Sequence, residues 1–199
     1  MKKTIKQFVS FLMIIFLLAP NYVFAAQDGY NSRVIFQLTD EEIEAEHLRQ
    51  IEESVLLMPE GRNDRPQVNN VLGRIETQTL TVRAGGQDRD GHRFNTFGGG
   101  FSWNSGGNPI SFSLRASWGP VSVSINSGSA VTAQGGIGGI FEPVPRNLLG
   151  VNVHLYVENR VEMRETRVYR RMNNNQPWQY SHTTTSSVVV ARSLIFQRA

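Results

Sequence analysis

The sequence predicts a mainly β protein: an antiparallel β-sandwich or partly open barrel of roughly six to nine strands, with one N-terminal amphipathic helix. Three observations predict it. Residues 110–125 alternate apolar and Ser or Arg side chains over two adjacent segments, the period of half-buried strands. Short runs of the same kind recur toward the C-terminus, separated by turns rich in Gly, Asn and Pro. One stretch of helical periodicity comes before them.

The chain begins with a segment unlike the rest. Lys2, Lys3 and Lys6 precede an apolar run from Phe8 to Ala19, then Pro20 and Val23-Phe24-Ala25. Basic, apolar, small is the order of a secretory signal, and the apolar run is short for a membrane span. Residues 1–25 are therefore expected to be removed, and the mature chain to begin at Ala26 outside the cell.

Residues 26–66 read as an acidic helical segment and linker. Val34-Ile35-Phe36 suits a short strand. Thr39-Asp40-Glu41-Glu42 is a capping box, in which hydroxyl and carboxylate satisfy each other's orphan amides. Ile43, Leu48, Ile51, Val55 and Met58 follow at helical spacing, and Pro59 and Gly61 stop the helix. The linker Gly61-Arg62-Asn63-Asp64-Arg65-Pro66 is polar and rich in turn residues.

Residues 67–199 read as the β-rich domain. Thr77 to Arg83 alternates. Asp90-Gly91 suits a hairpin turn. Ile110 to Trp118 and Val121 to Ile125 form a hairpin about Gly119-Pro120. Val151 to Val157 and Val161 to Arg170 make two further strands. Asn173 to Pro177 is a turn, and Trp178 to Thr185 and Ser187 to Phe196 complete the set. Gly98-Gly99-Gly100 and the Gly135 to Gly139 run read as loops. The core is expected from the alternating apolar residues with Trp103, Trp118 and Trp178, although such aromatics also serve binding faces.

Composition narrows the function. The net charge of +3 comes from the three leader lysines, since residues 26–199 hold 17 Arg and 17 acids. Global attraction to nucleic acid is not expected. The charge is nevertheless split. Ala26 to Glu60 carries nine acids and two Arg, and Gly61 to Ala199 eight acids and fifteen Arg. Residues 26–199 contain no Lys, where average usage would supply roughly ten. The chain has no Cys, so no disulfide holds the fold or links a partner, and thiol catalysis is excluded.

Motifs for chemistry are weak. Asp88-Arg89-Asp90-Gly91-His92 resembles part of a calcium loop, but Gly86 and Phe97 stand where ligands belong. Glu44 and His47 lie one helical turn apart without a second such pair, and suit a solvated face. His92, His154 and His182 are scattered. The glycine run Ala133 to Ile140 lacks the residues of a phosphate loop. No metal and no cofactor is expected.

The best surface candidate is Arg160, Arg164, Arg167, Arg170 and Arg171, interleaved with Glu158, Glu162 and Glu165. Such a stretch pairs with acids across an exposed sheet, or takes carboxylates, phosphates or wall polymers. On one strand Arg167 points away from Arg164 and Arg170. Charge reversal at Arg164 and Arg170 is expected to abolish ligand retention under the second reading.

The favoured function is an exported, non-enzymatic binding or interaction module at the cell envelope or on neighbouring cells. Its partner would be an envelope polymer or a surface or secreted protein. The first alternative is a secreted toxin or bacteriocin-like effector. Its membrane hairpin would present Ile110, Phe112, Leu114, Trp118, Val121 and Val123, although the second strand is shorter than the about 9–11 residues a spanning strand needs. The second alternative is a secreted hydrolase whose acids meet only in the fold. Under any of these readings, the acidic segment can serve as a pro-segment clipped near Arg62 or Arg65, or as a fixed helix on the sheet.

Overall fold

The structure, a computed structural model, describes residues 32–56, 67–134 and 139–199. The expected leader, the linker 61–66 with its clipping sites, and the centre of the second glycine run lie outside the described residues. So do Met58, Pro59 and the side chain of Val55.

The fold is mainly β, as expected; its antiparallel sheets do not close into a barrel and are consistent with a sandwich-like arrangement. Its spine is a hairpin of two long strands, β9 (Asn152–Arg171) and β10 (Gln179–Arg198). On one side β2 (Gln67–Arg83) and the two-residue β3 (His92–Arg93) pair with β9. On the other side β1 (Arg33–Gln37) pairs with β10. The order of this sheet is β1-β10-β9-β2. Two smaller sheets complete the set among the described residues. One is β7-β4-β8, from Ser129–Gln134, Gly99–Asn104 and Ile140–Pro143. The other is the hairpin β5 (Ile110–Ala116) and β6 (Gly119–Ile125).

Side chains alternate along β9 and divide the main sheet into two faces. Val153, Leu155 and Val157 join Leu194 and Phe196 against Phe101, Trp103 and Ala130 of the three-stranded sheet and Val144 just after β8. Farther along the same face, Val161 and Met163 meet Ala116, Val121, Val123 and Ile125 of the β5–β6 hairpin. Full burial of each such aliphatic stabilises by about 1.5–3 kcal/mol. Asn159 lies between the two clusters in sequence and is fully buried. Its side-chain amide donates to the carbonyls of Val157 and Leu80, and its carbonyl accepts from Arg192 Nε at 2.8 Å. Burial lowers the pKa of Arg192, whose guanidinium lies over Phe36 at 5.5 Å.

The opposite face carries the helix α1 (Asp40–Leu56). Its capping box forms as expected, with Thr39 N donating to Glu42 Oε2 at 2.8 Å and Glu42 N to Thr39 Oγ1 at 3.3 Å. Ile43 packs on Val188 and Val190. The buried stripe is Ile43, His47 and Ile51, at successive intervals of four, and Leu48 is exposed. Gln50 acts as a short piece of strand. Its amide donates to Ser187 O at 3.0 Å and accepts from Ser187 N at 3.0 Å, closing that part of the β10 edge.

Several expectations are corrected. Four expected strands are two, because Asn159 in β9 and the polar run of residues 183–187 in β10 interrupt the apolar pattern without interrupting the ladder. The hairpin turn is Ser117-Trp118; Gly119 and Pro120 already pair with Ala116 and Arg115. Asp88–Gly91 is a turn, with Gly91 N donating to Asp88 O at 3.2 Å, but β2 and β3 on its two sides both pair with β9. Gly99 and Gly100 begin β4 and are not a loop. A Cβ on Gly100 would lie 2.1 Å from the carbonyl oxygen of Glu142 on β8, so only glycine lets these strands meet. Trp103 is buried and donates to Ser127 O at 3.0 Å, whereas Trp178 is exposed.

Candidate functional site

The register of β9 separates the five arginines. Arg160, Arg164 and Arg170 point to the α1 side of the sheet, and Arg167 and Arg171 to the other. They form no single basic face.

Arg164 is an internal group. Its Nη1 pairs with Glu44 of α1, and its Nε donates to Glu162 Oε1 at 2.8 Å. Burial works against its charge, but the hydrogen bonds to Glu44 and Glu162 outweigh it, and its pKa is raised. Beside this pair lies His47, 1% exposed, where a solvated helix face was expected. His47 Nδ1 shares a 2.7 Å hydrogen bond with Ser186 Oγ. His47 Nε2 lies 3.5 Å from Glu162 Oε1 and makes no hydrogen bond there. Burial, with Arg164's charge as the second cause, pushes His47 down to about 4, so the ring is neutral near pH 7 and the contact with Glu162 is not an ion pair.

Ser186, His47 and Glu162 thus have the composition of a nucleophile, base and orienting acid. Their geometry does not suit acyl transfer. Ser186 is buried beneath the helix, leaving no approach for a carbonyl carbon to its Oγ, and the His–Glu contact is too long to orient the ring. The cluster instead fastens α1 to the sheet.

The other face of the ribbon differs. The hydrogen bonds that tie the β5–β6 hairpin to the sheet fall at Arg74, Glu76, Gln78 and Ser187. The distal rows, Gln67–Leu72 with Thr166–Arg171 and Gln179–Thr185, lie beyond them. There Arg167 is exposed and makes no hydrogen bond or ion pair with a described residue. Tyr169 and Tyr180 meet edge to face at 5.9 Å, and Tyr180 is 58% exposed. Arg171 lies over Trp178 at 4.4 Å, and its Nε donates to Gln67 Oε1 at 2.6 Å. No acid occurs after Glu165 in the whole sequence, so nothing on the β9–β10 tip neutralises these arginines. Thr166 and Val168, on the α1 side of the same rows, are buried.

Within the expected membrane hairpin, the apolar side chains are engaged in the core. Val121 and Val123 are buried, and Phe112, Leu114 and Trp118 pack against the same cluster, while Ile110 is exposed. Each strand is seven residues long. Open grooves elsewhere are less specific. One of about 590 Å³ runs between α1 and the hairpin, with Glu42, Glu46 and Gln50 on one wall and Val123 and Val189 on the other. Another, of about 330 Å³, lies by His92, Arg93 and Thr132. No cluster of three or more metal-binding side chains occurs among the described residues.

Sequence reading located Arg167 and Arg171 but missed Tyr169, Tyr180 and the exposed aliphatics of β2. The absence of acids after Glu165 was the available signal. No protein-family model matches the chain, and neither a curated protein nor a solved structure is significantly similar to it.

Proposed function

We propose that the protein is an exported binding module that works without catalysis, at the cell envelope or on neighbouring cells. Its binding surface is the distal ribbon face formed by Arg167, Tyr169, Arg171, Trp178 and Tyr180. The observation that carries this reading is the combination on one face of aromatic rings with a guanidinium, that of Arg167, that pairs with no acid among the described residues. Tyr, Trp and Arg are the residues that supply most of the energy of protein interfaces. Arg also grips carboxylates and phosphates through its planar fork. The partner is accordingly acidic: a polyanionic envelope polymer or an acidic protein surface. Export rests on residues 1–25 and their order of basic, apolar and small residues.

The test is retention on immobilised dextran sulfate and on envelope material of the producing cell. Two charge-assisted contacts are each worth about 1.5–3 kcal/mol, so Arg167→Glu with Arg171→Glu weakens binding about 100-fold or more. Trp178→Ala weakens it further. Retention on dextran sulfate alone marks a polymer partner, and retention on envelope protein alone marks a protein. Unchanged retention in the double variant removes the reading. Arg164→Glu is not a test of binding, because it breaks the pairs with Glu44 and Glu162 that hold α1. It costs about 3 kcal/mol of folding stability, read as a lowered Tm.

A further inference from the structure

Among the described residues β2 pairs only with β9, so its outer edge has no strand partner. Edges of this length are normally guarded by charge, Pro or a bulge. The outer half of β2, Gln67-Val68-Asn69-Asn70-Val71-Leu72-Gly73, has neither charge nor Pro, and its bulge comes only at the inner end, between Leu72 and Ile75. Its aliphatic side chains are exposed on both faces. Val68, Leu72 and Ile75 lie on the α1 side and Val71 on the other, and Leu72 is 52% exposed.

We propose that this edge pairs antiparallel with the same edge of a second copy, about a two-fold axis at Asn70. The segment is self-complementary in that register. Asn70 faces Asn70 of the second copy, Asn69 faces Val71, and Val68 faces Leu72 twice. Residues directly opposite share a face, so each Val68–Leu72 pair covers apolar surface that is open in a single chain. No charged residue lies in the paired stretch. The arginines of β9 in the two copies stand three strand spacings apart, about 14 Å. That exceeds the screening length of about 8–10 Å at ordinary salt, so they do not oppose pairing. An uncharged edge offers a polyanion nothing to hold, which favours a second copy as its occupant. The pairing leaves the aromatic face open, so this inference and the binding reading fail separately.

The chain has no Cys, so a single introduced one reports on symmetry. Asn70→Cys and Thr79→Cys, both at exposed positions of β2, are to be oxidised in protein purified after expression of the full chain. Asn70→Cys is expected to form a disulfide-linked dimer and Thr79→Cys none, since Thr79 lies far from the axis. In sedimentation velocity the unmodified protein is expected at twice the chain mass. Asn70→Lys, which sets two ammonium groups opposite each other, is expected at the chain mass with an unchanged circular dichroism spectrum. A monomer at all concentrations overturns the proposal. A dimer untouched by Asn70→Lys places the interface elsewhere and also overturns it. A monomer whose β2 amides gain exchange protection only when envelope protein is added gives the edge to another protein and overturns self-pairing.

Discussion

His47 couples the seat of the helix to pH. Its folded pKa is about 4 against an ordinary 6.5, chiefly through burial, with Arg164's charge as the second cause and Glu162, Glu44 and Glu46 opposing. Between those values the unfolded chain binds a proton that the folded chain refuses. Stability therefore falls as pH drops from 6.5 toward 4 and levels off below. At about 1.4 kcal/mol per unit, the loss over the window is about 3 kcal/mol. Glu46, held down to about 2 chiefly by its hydrogen bond with Arg49, loses its contribution only as pH falls below its usual 4.5. Glu142, whose pKa burial raises, acts in the opposite sense and gains stability as pH falls, so the His47 effect is read as the difference between the wild type and a variant without the imidazole. The loss of urea midpoint from pH 7 to pH 5 is expected to be larger in the wild type than in His47→Gln. An equal difference in both would refute the assignment. The burial of His47 was hidden in sequence because Leu48 competes with it as the apolar residue of that turn. Only the position of Ser186 and Glu162 across the interface decides which of the two faces inward.

Elements were legible where a local rule acts alone. The capping box at Thr39 fixes the start of α1, and strict alternation fixes β5 and β6. Boundaries failed where long-range packing overrides local chemistry. Asn159 occupies an inward position of β9 because Leu80 O and Arg192 satisfy it, so a polar residue that reads as a break is part of the core. Gly99 and Gly100 read as loop residues, yet they serve a close approach of β4 to β8, whose partner residues lie some forty positions away. Gly100→Ala sets a methyl group 2.1 Å from Glu142 O, and β8 must shift or part from β4. A destabilisation of about 3 kcal/mol or more is expected, against about 1 kcal/mol or less for alanine at an open position. A Tm within a few degrees of wild type would show that β8 is free to move.

At the scale of the whole molecule, charge and exposure divide the work. The acidic helix covers the β10 half of one face of the sheet and is fastened there by a neutral histidine and a three-member ion cluster. The small sheets bury most of the other face. The far end of the β9–β10 ribbon keeps aromatic and guanidinium groups in the open. The arginine cluster was visible in sequence, but its division between an internal clamp and an outward face was not, because alternation says which residues share a side and not which side the helix covers. The most direct measurement is hydroxyl-radical footprinting of the protein with and without envelope material. Protection at Tyr169, Trp178 and Tyr180, with α1 and the β5–β6 hairpin unchanged, is the predicted result. Protection confined to the helix or hairpin, or bound protein with all three aromatics still fully reactive, would contradict the account.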